Sequence, residues 1–348
     1  MLNFYPGPSK LHASIEEDMQ QALRSGILSM NHRSKAFSHL YQTTEIVAQE
    51  VFHLPSGYKV YFTSSATECW EIIAQSFPNY TFTHIYNGAF GNKWKQVSEA
   101  LGRKVQANSY SFEEPIPASF YSSSQENSIL CLTQVETSNG SCIPSSKFGS
   151  IRTNWKGLIA VDATTSMAGV ETDFSMADIW FASVQKCFGL PSGLAVLVVS
   201  PRVEETLKDV TSAHYNDLKN IIANGQQFQT THTPNILGIY LLKQRLAGLS
   251  MELPYARVVA QMNDINRFFE KSTFSPIISE KEYQSPTVLT LKASSEAELK
   301  DLFQRAEAAK IILGKGYGEW KSNTFRIANF PAHTKEDIGQ LISFFSAF

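Results

Sequence analysis

The chain has 348 residues, 43% of them hydrophobic and 18% charged, with 30 basic against 32 acidic side chains and a formal charge of -2. That balance excludes a disordered or collagen-like polymer and gives no electrostatic reason to bind nucleic acid or an anionic membrane. The length exceeds what one hydrophobic core usually fills, which points to a large domain with a smaller companion, and the longest apolar run, Leu194 to Val199, falls far short of the roughly 20 residues that span a bilayer.

The opening stretch MLNFYPGPSK has no basic start followed by an apolar core, so no secretory signal is expected and the expected location is the cytoplasm. Helical spacing then runs from Ser14 to about Gly26 and from about Lys35 to Phe52. From Lys59 to Ser200 short β-rich runs alternate with helical patterns: KVYFTSS and TECWEIIAQSF, THIYNG and NKWKQVSEALG, then SILCLTQVETS, LIAVDATTS, IWFASVQKC and GLAVLVVS. Such alternation predicts an α/β fold, a large domain with a mostly parallel sheet flanked by helices.

Pro201 to Gln244 reads as helical with a polar break at Asn224 to Pro234, and a long helical pattern follows Ala256. A strand at Thr287 to Lys292, a helix at Ser295 to Lys310, a glycine-rich turn at Gly314 to Gly318, a strand around Thr324 to Ala328 and a last helix complete a smaller α+β domain. The expected division is 16–255 for the large domain and 256–348 for the small one, with residues 1–15 packing near the latter.

No GxGxxG follows a strand and no GxxxxGK[ST] occurs, so the usual dinucleotide and P-loop signatures are missing. Neither HExxH nor a Cys/His cluster is present, so no metal is expected, and Cys69, Cys131, Cys142 and Cys187 are dispersed enough to read as reduced thiols. In an open α/β sheet ligands bind beyond the carboxyl ends of the strands, where this chain places small polar residues. Asp162 ends the hydrophobic run LIAVD, where an ionised carboxylate needs a cationic partner. Lys186 ends another such run beside Phe188, where desolvation would favour an amine nucleophile. The TSSAT stretch, Thr63 to Thr67, stands at a strand-to-helix junction suited to a phosphate, or simply to an N-cap. Asp162 and Lys186 alone are equally readable as a buried ion pair. A phosphate cradle, an aspartate and a lysine in this order form the layout that pyridoxal phosphate requires.

The blocks NFYPGPSKL, SMNHRSKAF, VETSNG, DATTS, QK followed by GLPSGLAVLVV, and THTPNILGIYLL run through nearly the whole chain in order. With them the sequence resembles the class V, fold type I pyridoxal-phosphate enzymes, and within these the phosphoserine aminotransferase family. The resemblance implies that Lys186 holds pyridoxal 5'-phosphate as a Schiff base and then moves the proton at the substrate α-carbon, while Asp162 keeps the ring nitrogen protonated. It implies that Phe90 stacks on the ring where the family has tryptophan, and that Thr137 serves the phenolic oxygen. Gln185, Ala66 and Thr67 would hold the phosphate, with His232 and Thr233 reaching it from a neighbouring subunit of a homodimer; the family has Asn-Thr at that pair.

Arg326 matches the family's arginine for the α-carboxylate, and His32 and Arg33 match the pair for the distal anion. Where the family brings a second His-Arg pair to the substrate phosphate, this chain has Glu319 and Trp320. The implied reaction converts O-phospho-L-serine and 2-oxoglutarate to 3-phosphooxypyruvate and L-glutamate, in serine biosynthesis. The alternatives are another class V aminotransferase acting on alanine, serine or glyoxylate, and a non-catalytic α/β protein that binds a small anion. A desulfurase would need a reactive cysteine late in the chain, and none follows Cys187.

Overall fold

The runs LIAVD, IWFAS and AVLVV are buried at every position, as strands covered on both faces must be. They form the middle of the main sheet in the computed structural model, which describes residues 1–348 except 123–125, 212–213 and 252–253, and except the side chains of 250, 251 and 319. In chain order the strands are β1 Leu2–Phe4, β2 Lys59–Thr63, β3 Thr81–Tyr86, β4 Lys104–Ser109, β5 Ser128–Thr133, β6 Val135–Glu136, β7 Ser141–Cys142, β8 Leu158–Asp162, β9 Ile179–Ser183, β10 Ala195–Val199, β11 Ser275–Pro276, β12 Val288–Lys292, β13 Ile311–Lys315 and β14 Thr324–Ala328.

The main sheet has the order β2-β10-β9-β8-β5-β3-β4. β10 runs antiparallel to both its neighbours, and the remaining pairings are parallel. One hydrophobic cluster fills each face: Leu130, Val161, Ala182 and Val196 point into one, and Ile129, Ala160, Phe181 and Leu197 into the other. Helix Lys35–Val51 starts at Ser34, whose side chain accepts from Phe37 N-H, and packs along helix Ile236–Met251.

A second sheet, β1-β13-β14-β12-β11, carries its own core of Phe4, Leu289, Leu313, Phe325 and Ile327, with helices Tyr255–Phe269, Glu296–Ala308 and Lys335–Ser346 against it. β1 pairs in parallel with β13, so the first residues of the chain belong to the sheet built by the last.

Three sequence expectations are corrected. The edge strand β4 is absent from the sequence reading because KVQANS is short and mostly exposed, with Val105 and Ala107 its only apolar residues. Gly314, expected in a turn, lies within β13 opposite Arg326; the turn falls earlier, at Ala309 and Lys310, where Lys310 has φ +57°. SILCLTQVETS is not one strand: β5 stops at Thr133, and Val135–Glu136 pairs with Ser141–Cys142 in a small hairpin.

Candidate active site

The carboxyl ends of β2, β5, β8 and β9, the N-terminal segment Tyr5 to Gly7 and β14 converge on a cavity of about 200 Å³. Its lining includes Ala66, Thr67, Phe90, Thr137, Asp162, Gln185, Lys186 and Arg326, so eight of the residues singled out in the sequence are brought together. A wider, open depression of about 870 Å³ lies between helices Tyr255–Phe269 and Lys335–Ser346. It gathers no comparable set of groups; convergence of chemistry, rather than size, selects the smaller cavity.

Lys186 is buried, and its Nζ donates to Thr137 Oγ1 at 2.9 Å and to Thr165 Oγ1 at 3.0 Å. Asp162 is buried too: Trp70 Nε1 donates to Oδ2 at 3.1 Å and the Thr164 N-H donates to Oδ1 at 3.0 Å. Among the described bonds, then, the lysine and the aspartate are each held by neutral partners and do not form the plain ion pair that the sequence left open. Burial pulls the Lys186 amine down to about 8, against the opposing pull of Asp162, Cys187 and Glu136. Burial likewise raises Asp162 above the usual carboxylate range, opposed by its bonds from Thr164, by Lys186 and by Trp70. A lysine with an accessible neutral form beside a desolvated carboxylate is chemistry in readiness.

The eleven-residue helix Ala66–Ser76 opens on the same cavity, capped by Ser65, whose hydroxyl accepts from Glu68 N-H. Its positive end, with Ala66 and Thr67 in the lining, suits a phosphate. The Phe90 ring stands 5.3 Å from Lys186 Nζ and stacks on Tyr317 at 5.2 Å. Arg326, 4% exposed, donates from Nη1 to Thr137 O at 2.7 Å and from Nε to Lys315 O at 2.9 Å, which commits only part of its five-donor guanidinium.

His32, Arg33, His232 and Thr233 do not line this cavity. Three of them stand together elsewhere: Arg33 donates to the Gln229 side chain, and burial, then Arg33, then His232 hold His32 below its ordinary value. Trp320 meets Phe112 edge to face at 5.8 Å, while the Glu319 side chain lies outside the described residues.

Several site residues escaped the sequence reading. Trp70 and Thr165 bind the two charged groups directly, and Thr165 was signalled only as one of the two threonines in DATTS. Glu136 carries no local signature at all. It is buried, its Oε2 accepts from the Phe90 and Gly91 N-H groups at 3.0 Å, and its Oε1 accepts from Ser138 N-H at 2.9 Å and Ser138 Oγ at 2.6 Å. It thereby caps helix Ala89–Ala100 from outside, in place of Gly88, which has no side chain to do so. A β-carbon on Gly88 would stand 2.3 Å from Glu136 Cγ, which explains the glycine.

Residues 1–273 match the family model "Aminotransferase class-V". A phosphoserine aminotransferase of Rhodococcus opacus (strain B4) is 24% identical over 96% of this chain and 91% of its own. The crystal structure of a phosphoserine aminotransferase from Cytophaga hutchinsonii superimposes with a TM-score of 0.93 at 30% identity, covering 99% of this chain and 98% of that one. An alanine–glyoxylate aminotransferase from Nostoc sp. gives a TM-score of 0.85 at 23% identity, covering 100% of this chain and 95% of that one.

The chain belongs to the class V aminotransferase family. It is a pyridoxal-phosphate-dependent aminotransferase, which sets aside a non-catalytic binding protein. The donor set of the cavity fits that cofactor: a helix N-terminus for a phosphate, a desolvated carboxylate for a ring cation, a partly neutral amine for an aldehyde carbon and an aromatic face beside it.

Proposed function

We propose that this enzyme transfers the amino group of O-phospho-L-serine to 2-oxoglutarate, giving 3-phosphooxypyruvate and L-glutamate, as a step of serine biosynthesis in the cytoplasm. The observation that carries the reading is Arg326, a buried arginine in the wall of the cavity that also holds Lys186, where an amino-acid α-carboxylate would be gripped. The resemblance of the chain over nearly its full length to phosphoserine aminotransferases supports the choice of donor.

Lys186 would hold pyridoxal 5'-phosphate and, once released, move the proton at the substrate α-carbon, a task that suits an amine brought down to about 8 by burial. Asp162 holds the proton on the ring nitrogen. When bound, the cofactor supplies the electron sink that accepts charge from the α-carbon. Ala66, Thr67 and Gln185 would hold its phosphate, Phe90 would stack on its ring, and Thr137 would serve its phenolic oxygen. None of His32, Arg33, His232 and Thr233 lines the cavity of its own chain, and the resemblance to phosphoserine aminotransferases supports a homodimer in which they complete the partner's site, Arg33 supplying the charge.

A second reading, transamination of a donor without a distal phosphate such as alanine or serine, or of glyoxylate, is favoured by one observation. At the positions where phosphoserine aminotransferases carry a second His-Arg pair, Trp320 offers an aromatic ring packed on Phe112. Exposing the cofactor-loaded enzyme to each amino acid without a keto acid separates the two. Loss of the visible band at low phosphoserine concentration supports the first reading, and loss with alanine or serine alone supports the second.

A further inference from the structure

We propose that Lys93 is the specificity-determining residue that binds the distal phosphate of the amino donor within the same chain, in place of the His-Arg pair missing at Glu319 and Trp320. The inference rests on the phosphoserine reading above.

Lys93 lies one turn after Phe90 on helix Ala89–Ala100 and is exposed. Its Nζ donates to Tyr317 Oη at 2.5 Å and stands 5.0 Å from the Tyr317 ring centroid and 5.5 Å from that of Phe90. Both rings belong to the wall of the cavity that contains Lys186. Among the described side chains, the ammonium is therefore met by a neutral hydroxyl and two ring faces, partners that hold it at the cavity mouth and leave its charge unneutralised.

The same tyrosine ring has a second cation against it. Arg326 Cζ lies 5.3 Å from the Tyr317 centroid, and Arg326 is buried where Lys93 is exposed. Tyr317 thus has one buried and one exposed cation against it. An amino acid whose α-carboxylate meets Arg326 would extend along this ring and present a second anion to Lys93. A short donor with an uncharged side chain would never reach it. Lysine suits a phosphate as a point charge with three rotatable donors, and helix 89–100 is fixed from below by Glu136, so the ammonium is aimed by a rigid element.

The test uses the cofactor-loaded enzyme and its Lys93→Ala and Lys93→Arg variants, titrated with O-phospho-L-serine and separately with L-alanine while the visible band is followed. Lys93 is at the surface, so neither variant removes packing that the fold needs. The expected result for Lys93→Ala is that the half-saturating concentration of phosphoserine, relative to that of alanine, rises about tenfold, the scale of one lost charge-assisted hydrogen bond. Lys93→Arg should restore most of the discrimination. A ratio that stays the same in Lys93→Ala, or an equal loss for both donors, overturns the role of Lys93 while leaving the phosphoserine reading intact. A wild-type enzyme indifferent to phosphoserine sinks both together.

Discussion

Gly7 lies so close to Lys186 that a β-carbon on it would stand 2.8 Å from the lysine Cε, at a backbone φ of +138° that side-chain-bearing residues rarely adopt. The N-terminal segment therefore seats the lysine, and the next bond outward, from Ser9 N-H to Gln185 O at 3.1 Å, fastens the two strands of chain together. Gly7→Ala forces the flexible end of Lys186 to move. The expected outcome is a fall in kcat of about tenfold or more, since a misplacement of about 1 Å can cost that much, with a cooperative unfolding transition retained. Turnover measured beside thermal unfolding decides it, and an unimpaired Gly7→Ala enzyme contradicts the seating role.

Glu136 fixes the helix that presents Phe90. In Glu136→Gln one acceptor oxygen becomes an amide NH2 facing N-H donors that it cannot accept from. The expected loss is about 2 kcal/mol of stability, the scale for orphaning buried donors. Urea unfolding of the two proteins measures it; equal midpoints would show that the two bonds to the replaced oxygen are dispensable.

Lys186→Met should abolish transamination and alter the pH dependence of stability in the protein freed of its cofactor. The folded-state lysine titrates at about 8 against 10.5 in the unfolded chain. Between those values the unfolded chain holds a proton that the folded chain has released, so wild-type stability rises with pH across that window. Below it both states are protonated and the folded state bears the full burial penalty. The variant's advantage should accordingly be largest near pH 7 and shrink toward pH 10 in urea unfolding. A pH-independent gap would mean that Lys186 is not held in its neutral form by burial.

Arg326→Ala should raise KM for both the amino donor and the keto acid, because each carries the α-carboxylate. Losing a bidentate charge-assisted contact costs about 1.5–3 kcal/mol. Steady-state kinetics with each substrate varied in turn checks this; a change confined to one of them assigns Arg326 elsewhere.

The strand-end residues of the site were legible because a parallel sheet needs uninterrupted apolar strands, and Asp162 and Lys186 break that pattern where LIAVD and IWFASVQK end. Arg326 was legible only through the resemblance, since an arginine in NTFRIANF has no intrinsic sign of facing a cavity. Trp70, Glu136 and Tyr317 stayed hidden for a common reason. Each acts through a contact between segments far apart in sequence, as when Glu136 bonds to Phe90 and Gly91, and spacing within one element does not report such contacts. The edge strand β4 was missed because it is short and mostly exposed, with Val105 and Ala107 its only apolar residues, and the place of Gly314 because the glycines at 314, 316 and 318 read as the turn that Ala309 and Lys310 make.

The amino donor decides the function. Titrating the cofactor-loaded enzyme with O-phospho-L-serine, and separately with L-alanine and L-serine, in the absence of any keto acid measures it in a single half-reaction. Phosphoserine alone should discharge the visible band at low concentration. Discharge by alanine or serine while phosphoserine leaves the band unchanged would contradict it.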